Sequence, residues 1–164
     1  MFVESFDYEE QVVAQMQSSK PADLPLNYSF GDCTDLKKTY EDGKFDVAID
    51  KGTFDALAID DSEETMNRCW AYFDETMRVL SKSGVFTIVS LLQPHVLKIL
   101  IDFFVHVNPK NTLKDDYLYQ LKFQKIDQME GFSQKNFIKY YVIVKKNFID
   151  KSNPRMVAFK EKQQ

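Results

Sequence analysis

At 164 residues the chain has the length of one domain, and 44% hydrophobic against 28% charged residues is the composition of a folded core, not of a disordered segment. Its 21 Lys+Arg against 25 Asp+Glu give a net charge of −4, so no bulk basic field points to nucleic acid. Cys33 and Cys69 fall in no metal-ligand or C-x-x-C spacing, and they read as reduced, mostly buried thiols of a cytoplasmic protein without a metal. No apolar run approaches the roughly 20 residues of a membrane span, and Glu4, Asp7, Glu9 and Glu10 stand where a signal peptide carries basic residues.

In chain order, residues 1–6 form a short apolar stretch that ends in Asp7. Val12, Val13 and Met16 recur at helical spacing over residues 9–18, with Glu9 and Glu10 in the first turn where the helix dipole favours acids. Pro21 and Pro25 stop that helix, and residues 26–30 alternate as a strand that ends in Gly31-Asp32. Glu41-Asp-Gly43 is a turn before a strand over residues 45–49. The clearest helix covers residues 63–80, with Met66, Cys69 or Trp70, Phe73, Met77 and Leu80 on one face and Asp60, Asp61 and Ser62 as caps. The Ser81-Lys-Ser-Gly84 turn ends it, residues 85–91 read as a fully buried strand, and Pro94 suits the first position of a helix running to Phe104.

Beyond this point the pattern changes. Residues 117–126 and 137–146 alternate apolar and polar positions, and a turn near Glu130-Gly131 makes them an antiparallel pair at a sheet edge. The expected fold is α/β: a Rossmann-like, mostly parallel sheet with an antiparallel C-terminal hairpin, over residues 1–150, followed by a polar tail at 151–164.

The segment Phe45-Asp-Val-Ala-Ile-Asp-Lys-Gly-Thr53 carries the chemistry. An apolar strand ends abruptly in Asp50, Lys51 and Gly52, and in open α/β sheets ligands bind just beyond the carboxyl ends of the strands. Asp50 is therefore a candidate site acid. His95 and His106 are candidate bases whose plainer reading is structural.

Asp-Lys-Gly-Thr-Phe-Asp at 50–55, with Gly31-Asp-Cys-Thr-Asp35 before it and Met77-Arg-Val-Leu80 and Ser90-Leu-Leu-Gln-Pro-His95 after it, resembles the seven-strand S-adenosylmethionine-dependent methyltransferases. The likeness covers residues 3–146 and is nearest to the lysine-methylating domains of the methyltransferase-like group that act on translation elongation factor 1-alpha.

The resemblance implies S-adenosyl-L-methionine as cofactor, a protein lysine as acceptor (elongation factor 1-alpha foremost), and neither a nucleic-acid nor a membrane partner. It matches Asp7, with Glu4 as the weaker alternative, to the acid that accepts from the ribose hydroxyls; the plain reading of Asp7 is a helix cap. Asp32, with the Cys33 backbone beside it, matches the acid that accepts from the adenine amine, against a plain turn aspartate. Asp50 matches the acid near the methionine end of the cofactor and the incoming amine, and is the expected catalytic residue. Gly52 would permit close backbone approach, Lys51 reads as an ion-pair or packing lysine, and Asp55 either caps or lies near the acceptor.

One family feature is missing. These enzymes open with a strand and an acid-x-Gly-x-Gly loop, whereas no glycine precedes Gly31 here. The chain therefore reads as beginning at the family's second strand, N-terminally incomplete, with a vacancy in mid-sheet. Two functions follow: a methyltransferase, or a non-catalytic interaction module with the same surface. A dinucleotide oxidoreductase ranks below both, because its glycine fingerprint is absent too.

Overall fold

The computed structural model describes residues 2–106, 117–126, 139–148 and Ser152. The expected turn at Glu130-Gly131, the expected strand start at Phe137 and Ile138, and the expected tail other than Ser152 lie outside the described residues. Among the described residues no helix is long and apolar enough to cross a membrane.

Two sheets form. In the first, β1 (Val3–Asp7) and β2 (Leu26–Phe30) are parallel, with Val3 opposite Leu26 and Asp7 opposite Phe30. Parallel neighbours need a crossover, and α1 (Glu10–Ser19) supplies it. In the second, β3 (Phe45–Lys51) runs parallel to β4 (Leu80–Ser90), and the antiparallel hairpin of β5 (Tyr117–Ile126) and β6 (Lys139–Phe148) follows, in the order β3-β4-β6-β5. The expected hairpin is therefore in place, with β6 beside β4.

Four helices or helical turns match or extend the sequence pattern. The short α2 (Thr53–Leu57) was not expected. In α3 (Glu63–Val79) the Ser62 hydroxyl accepts from the Thr65 N–H at 3.2 Å, Glu63 and Glu64 occupy the first turn, and Arg78 the last, as the dipole favours. Pro94 begins α4 (Pro94–Phe104).

One boundary differs from expectation. Ser81–Gly84 is an irregular stretch inside β4 and not a turn before it: Phe45 pairs with Leu80, and the register then shifts so that Val47 pairs with Val85. A Cβ on Gly84 would stand 3.0 Å from Leu80 Cβ and 3.1 Å from the Ser81 carbonyl oxygen, so the bulge folds over that position.

The core lies on one face of the second sheet. Phe86 and Ile88 of β4 and Val142 and Val144 of β6 meet Phe54, Cys69, Phe73, Met77, Ile99, Leu100 and Phe103 from the three helices. The expected face of α3 holds, with Met66 and Trp70 partly buried against that cluster. Phe73 is the hub of the aromatic cluster, with ring centroids of Phe54, Phe103 and Phe104 at 4.8, 5.0 and 5.1 Å. The opposite face is open: Val47 is 56% exposed and Ile49 77%.

Among the described residues β1 pairs with β2 and β3 with β4, as expected, and no strand lies between β1 and β3. The two sheets meet through Tyr40. Its ring lies 6.2 Å from that of Phe6 in β1 and packs edge-on 5.1 Å from that of Phe45 in β3, and its hydroxyl hydrogen-bonds Ser29 of β2 at 2.9 Å. Arg78 secures the same linker, donating to the Tyr40 carbonyl, Asp42 and Glu75, while Glu75 accepts from the buried Leu36 N–H at 2.7 Å. The Arg-Val-Leu string thus holds the connection between the sheets.

Candidate active site at the carboxyl ends of the strands

The buried acid at the end of β3 organises this edge. Asp50 is 3% exposed, and its Oδ1 accepts from Thr53 N–H at 2.8 Å while its Oδ2 accepts from Phe54 N–H at 2.9 Å and from Tyr72 O–H at 2.7 Å. Two of the orphan N–H groups that begin α2 are thereby satisfied. Gly52 makes the turn with φ +92°, a left-handed conformation that a side chain would strain.

Burial raises the Asp50 carboxyl above its ordinary value, against the pull of its three donors; burial and the Asp50 charge push the Tyr72 hydroxyl well up. In this structure Asp50 holds the loop: both oxygens accept from it or from Tyr72, and the side chain is enclosed. Lys51 is exposed and, among the described residues, makes no ion pair, contrary to the pairing or packing expected of it.

Asp55 completes the arrangement. Its carboxylate accepts from the Ser90 hydroxyl at 2.5 Å and from Leu91 N–H at 3.0 Å, and Ser90 Oγ in turn accepts from Leu92 N–H at 2.9 Å. Leu92 sits at φ +45°, and this bonding holds it there. At the far end of α2, His95 Nε2 donates to the Ala58 carbonyl at 2.9 Å and Arg68 donates to that of Leu57 at 3.0 Å. His95 is therefore a tether on this structure, in agreement with its structural reading. Short α2 joins the ends of β3 and β4 to the first turn of α4.

The other two expected site acids sit on the first sheet. Gly31 N–H donates to the Asp7 carbonyl at 3.0 Å, which sets the ends of β1 and β2 side by side. Asp7 Oδ1 accepts from Glu9 N–H at 3.0 Å, the cap-like bond of its plain reading. Asp32 Oδ1 accepts from the Thr34 N–H at 2.8 Å and hydroxyl at 2.7 Å, an aspartate turn. Each keeps a second oxygen without a hydrogen bond among the described residues, free to accept from hydroxyls or an amine. Glu4, the alternative to Asp7, accepts from Asn27 across the pair at 2.9 Å instead. Burial, then the Asp32 charge, push the Cys33 thiol up to about 11, so it is an inert thiol.

Asp7 and Asp32 thus fit the nucleoside half of the expected cofactor, whereas nothing among the described residues forms a glycine loop for its methionine half. Beside Gly52 the space is open: a Cβ there would meet nothing within 4 Å. No pattern in the sequence marks Tyr72 or Ser90 as partners, although Asp-Lys-Gly-Thr before an apolar residue is a helix-start pattern that marks α2.

No family model matches the chain. It is 44% identical over 70 residues to a protein of Drosophila pseudoobscura pseudoobscura named eEF1A lysine and N-terminal methyltransferase homolog, covering 43% of this chain and 10% of that one. It is 32% identical over 101 residues to the Homo sapiens eEF1A lysine and N-terminal methyltransferase, covering 61% of this chain and 14% of that one. The chain thus spans between 10% and 14% of the length of the curated relatives it matches. Among solved structures it superposes with TM-score 0.58 on TrmN from Thermus thermophilus, at 14% identity, over 88% of this chain and 36% of that one. It also superposes with TM-score 0.57 on the N-methyltransferase NodS from Bradyrhizobium japonicum in complex with S-adenosyl-L-homocysteine, at 6% identity, over 88% and 66% of the two chains. The resemblance read from the motifs is therefore found again in relatives and in structures, and the chain has the Rossmann-like fold of the S-adenosylmethionine-dependent methyltransferases.

Proposed function

We propose that the chain belongs to a cytoplasmic, S-adenosylmethionine-dependent protein lysine methyltransferase acting on a translation elongation factor. The observation that carries this reading is the clasped carboxyl edge. Asp50 and Asp55 fix the Asp-Lys-Gly-Thr-Phe-Asp loop against the end of β4 in a chain of this fold, and its relatives are named for lysine methylation of eEF1A. Asp7 and Asp32 would hold the adenosine of the donor; the bound donor supplies an electrophilic methyl group. The acceptor amine must arrive neutral, and loss of its surrounding water on binding favours loss of its proton. Positioning then supplies most of the acceleration, with Asp50 and Asp55 acting through the loops they hold.

The test adds a strand bearing an acid-x-Gly-x-Gly loop ahead of residue 1 and assays transfer to purified elongation factor 1-alpha. Lysine methylation is the expected result. A protein that binds the donor yet transfers nothing to the factor overturns the reading. Residues 1–164 alone are expected to bind the donor poorly in isothermal titration, and micromolar affinity would contradict that.

That no strand lies between β1 and β3 among the described residues favours a second reading, a non-catalytic interaction module. That reading predicts binding of the elongation factor by residues 1–164 with no donor affinity even after the strand is supplied.

A further inference from the structure

Between the α2–α3 connection and the first turns of α4 lies a shallow groove of about 550 Å³, lined by Ile59, Asp60, Asp61, Pro94, His95 and Lys98. Its two walls are joined by the bond from His95 Nε2 to the Ala58 carbonyl, so the groove is preformed. One wall is braced internally, since Asp60 Oδ1 accepts from the Ser62 N–H at 3.0 Å and hydroxyl at 2.6 Å. The groove opens at the same end of β3 and β4 as the clasped loop.

Its chemistry is specific. Ile59 is 67% exposed, an apolar side chain without a cover, and Pro94 is exposed across from it. Asp60 and Asp61 are exposed, and among the described residues neither makes an ion pair. Hydrogen bonds from Ser62 hold the Asp60 carboxyl down at about 2, so it is ionised throughout the physiological range. The cation in the lining, Lys98, is engaged with Asp102 at 3.2 Å. Arg68 offsets part of the Asp60 charge, but a phosphate backbone or an anionic lipid surface would still meet two exposed carboxylates here, whereas a basic peptide would complement them.

We propose that this groove binds an extended segment of the acceptor protein, with an apolar residue on Ile59 and Pro94 and lysine or arginine side chains on Asp60 and Asp61. The proposal rests on the lysine-acceptor reading for its biological sense, but binding is measurable without donor or transfer. The probe is a fluorescein-labelled twelve-residue peptide containing two arginines, a central lysine and a leucine, titrated into residues 1–164 by fluorescence anisotropy. A glutamate-for-arginine peptide and a serine-for-leucine peptide are the controls.

Binding of the basic peptide is expected to weaken about fivefold in Asp60→Asn/Asp61→Asn, since two exposed charge pairs are lost. It should weaken also in Ile59→Ser and with the serine peptide, and fall with added salt. Asparagine retains the oxygen that Ser62 needs, and an unchanged melting curve confirms that each variant is folded. No binding, equal binding of the glutamate peptide, or unchanged affinity in the double variant overturns the groove. If the strand-restored protein methylates the factor with an unchanged KM in the double variant, the groove fails while the enzymatic reading stands. If the groove binds and that protein transfers nothing, the enzymatic reading fails while the groove stands.

Discussion

Asp55 and Ser90 close a hydrogen bond of 2.5 Å between α2 and the last residue of β4, and the same carboxylate takes the Leu91 N–H at 3.0 Å. Parallel strands fix each other's height through backbone bonds, but the loops beyond them need separate anchorage. Here one side chain provides it, and the left-handed Leu92 is the residue that bends to satisfy it.

Asp55→Ala is therefore expected to cost about 2 kcal/mol, the scale for losing hydrogen bonds to a charged group. Amide exchange should accelerate at Leu91 and Leu92 and remain slow in the middle of β4. Uniform acceleration along β4 would mean that Asp55 supports the whole sheet and not this loop.

Asp50→Ala removes a helix cap and leaves the Tyr72 hydroxyl buried without its acceptor. Denaturant unfolding should show a loss of about 2–4 kcal/mol, and Tyr72→Phe a loss of about 1 kcal/mol. If Asp50→Ala is as stable as wild type while the strand-restored enzyme loses turnover, Asp50 acts on the reactants directly and the capping account is wrong.

The fold was largely legible because its signals are local. Pro94 at a helix start, the periodic face of Cys69, Phe73 and Met77, and the alternation after Tyr117 each act through neighbouring residues. The partnerships Asp50–Tyr72 and Asp55–Ser90 were hidden because they join residues that only the tertiary fold brings together. The end of β3 drew attention to Asp50, but strand position cannot show whether a carboxylate faces ligand or a capping site. The bulge at Ser81–Gly84 reads as a turn in the sequence because serine and glycine mark turns and bulges alike.

Burial raises the Glu75 carboxyl, but hydrogen bonds from Arg78 and Leu36 N–H and the Arg78 charge outweigh it and hold the group below its ordinary 4.5. A folded-state pKa below the unfolded one contributes stability that is complete above about pH 4.5 and is lost as pH falls through the folded value. Asp50, pushed up by burial, has the opposite sign, so the measurement is a difference between wild type and Glu75→Gln. The wild-type advantage in melting temperature should shrink as pH falls below 4.5. A constant advantage would detach Glu75 from the linker's stability.

Lys146 is buried, with Nζ donating to the Met77 and Leu80 carbonyls at 2.7 and 2.9 Å. Lys146→Met keeps the volume but takes the donor from the carbonyls of Met77 in α3 and Leu80 in β4, at an expected cost of about 1–3 kcal/mol. Faster exchange in β6 should accompany it, because this contact fastens the hairpin to the helix end. An unchanged unfolding midpoint would show that the packing alone suffices.

Tyr40 is a single ring against which both sheets pack. Asp7 and Asp32 lie at the ends of the first sheet and the Asp50 loop at the end of the second, so a change in how the strands seat on that ring would shift one set of strand ends against the other. An edge-on aromatic contact tolerates such a shift, while the hydroxyl bond to Ser29 limits its range. The spacing between Asp7 and Asp50 thus depends in part on a residue that neither of them contacts.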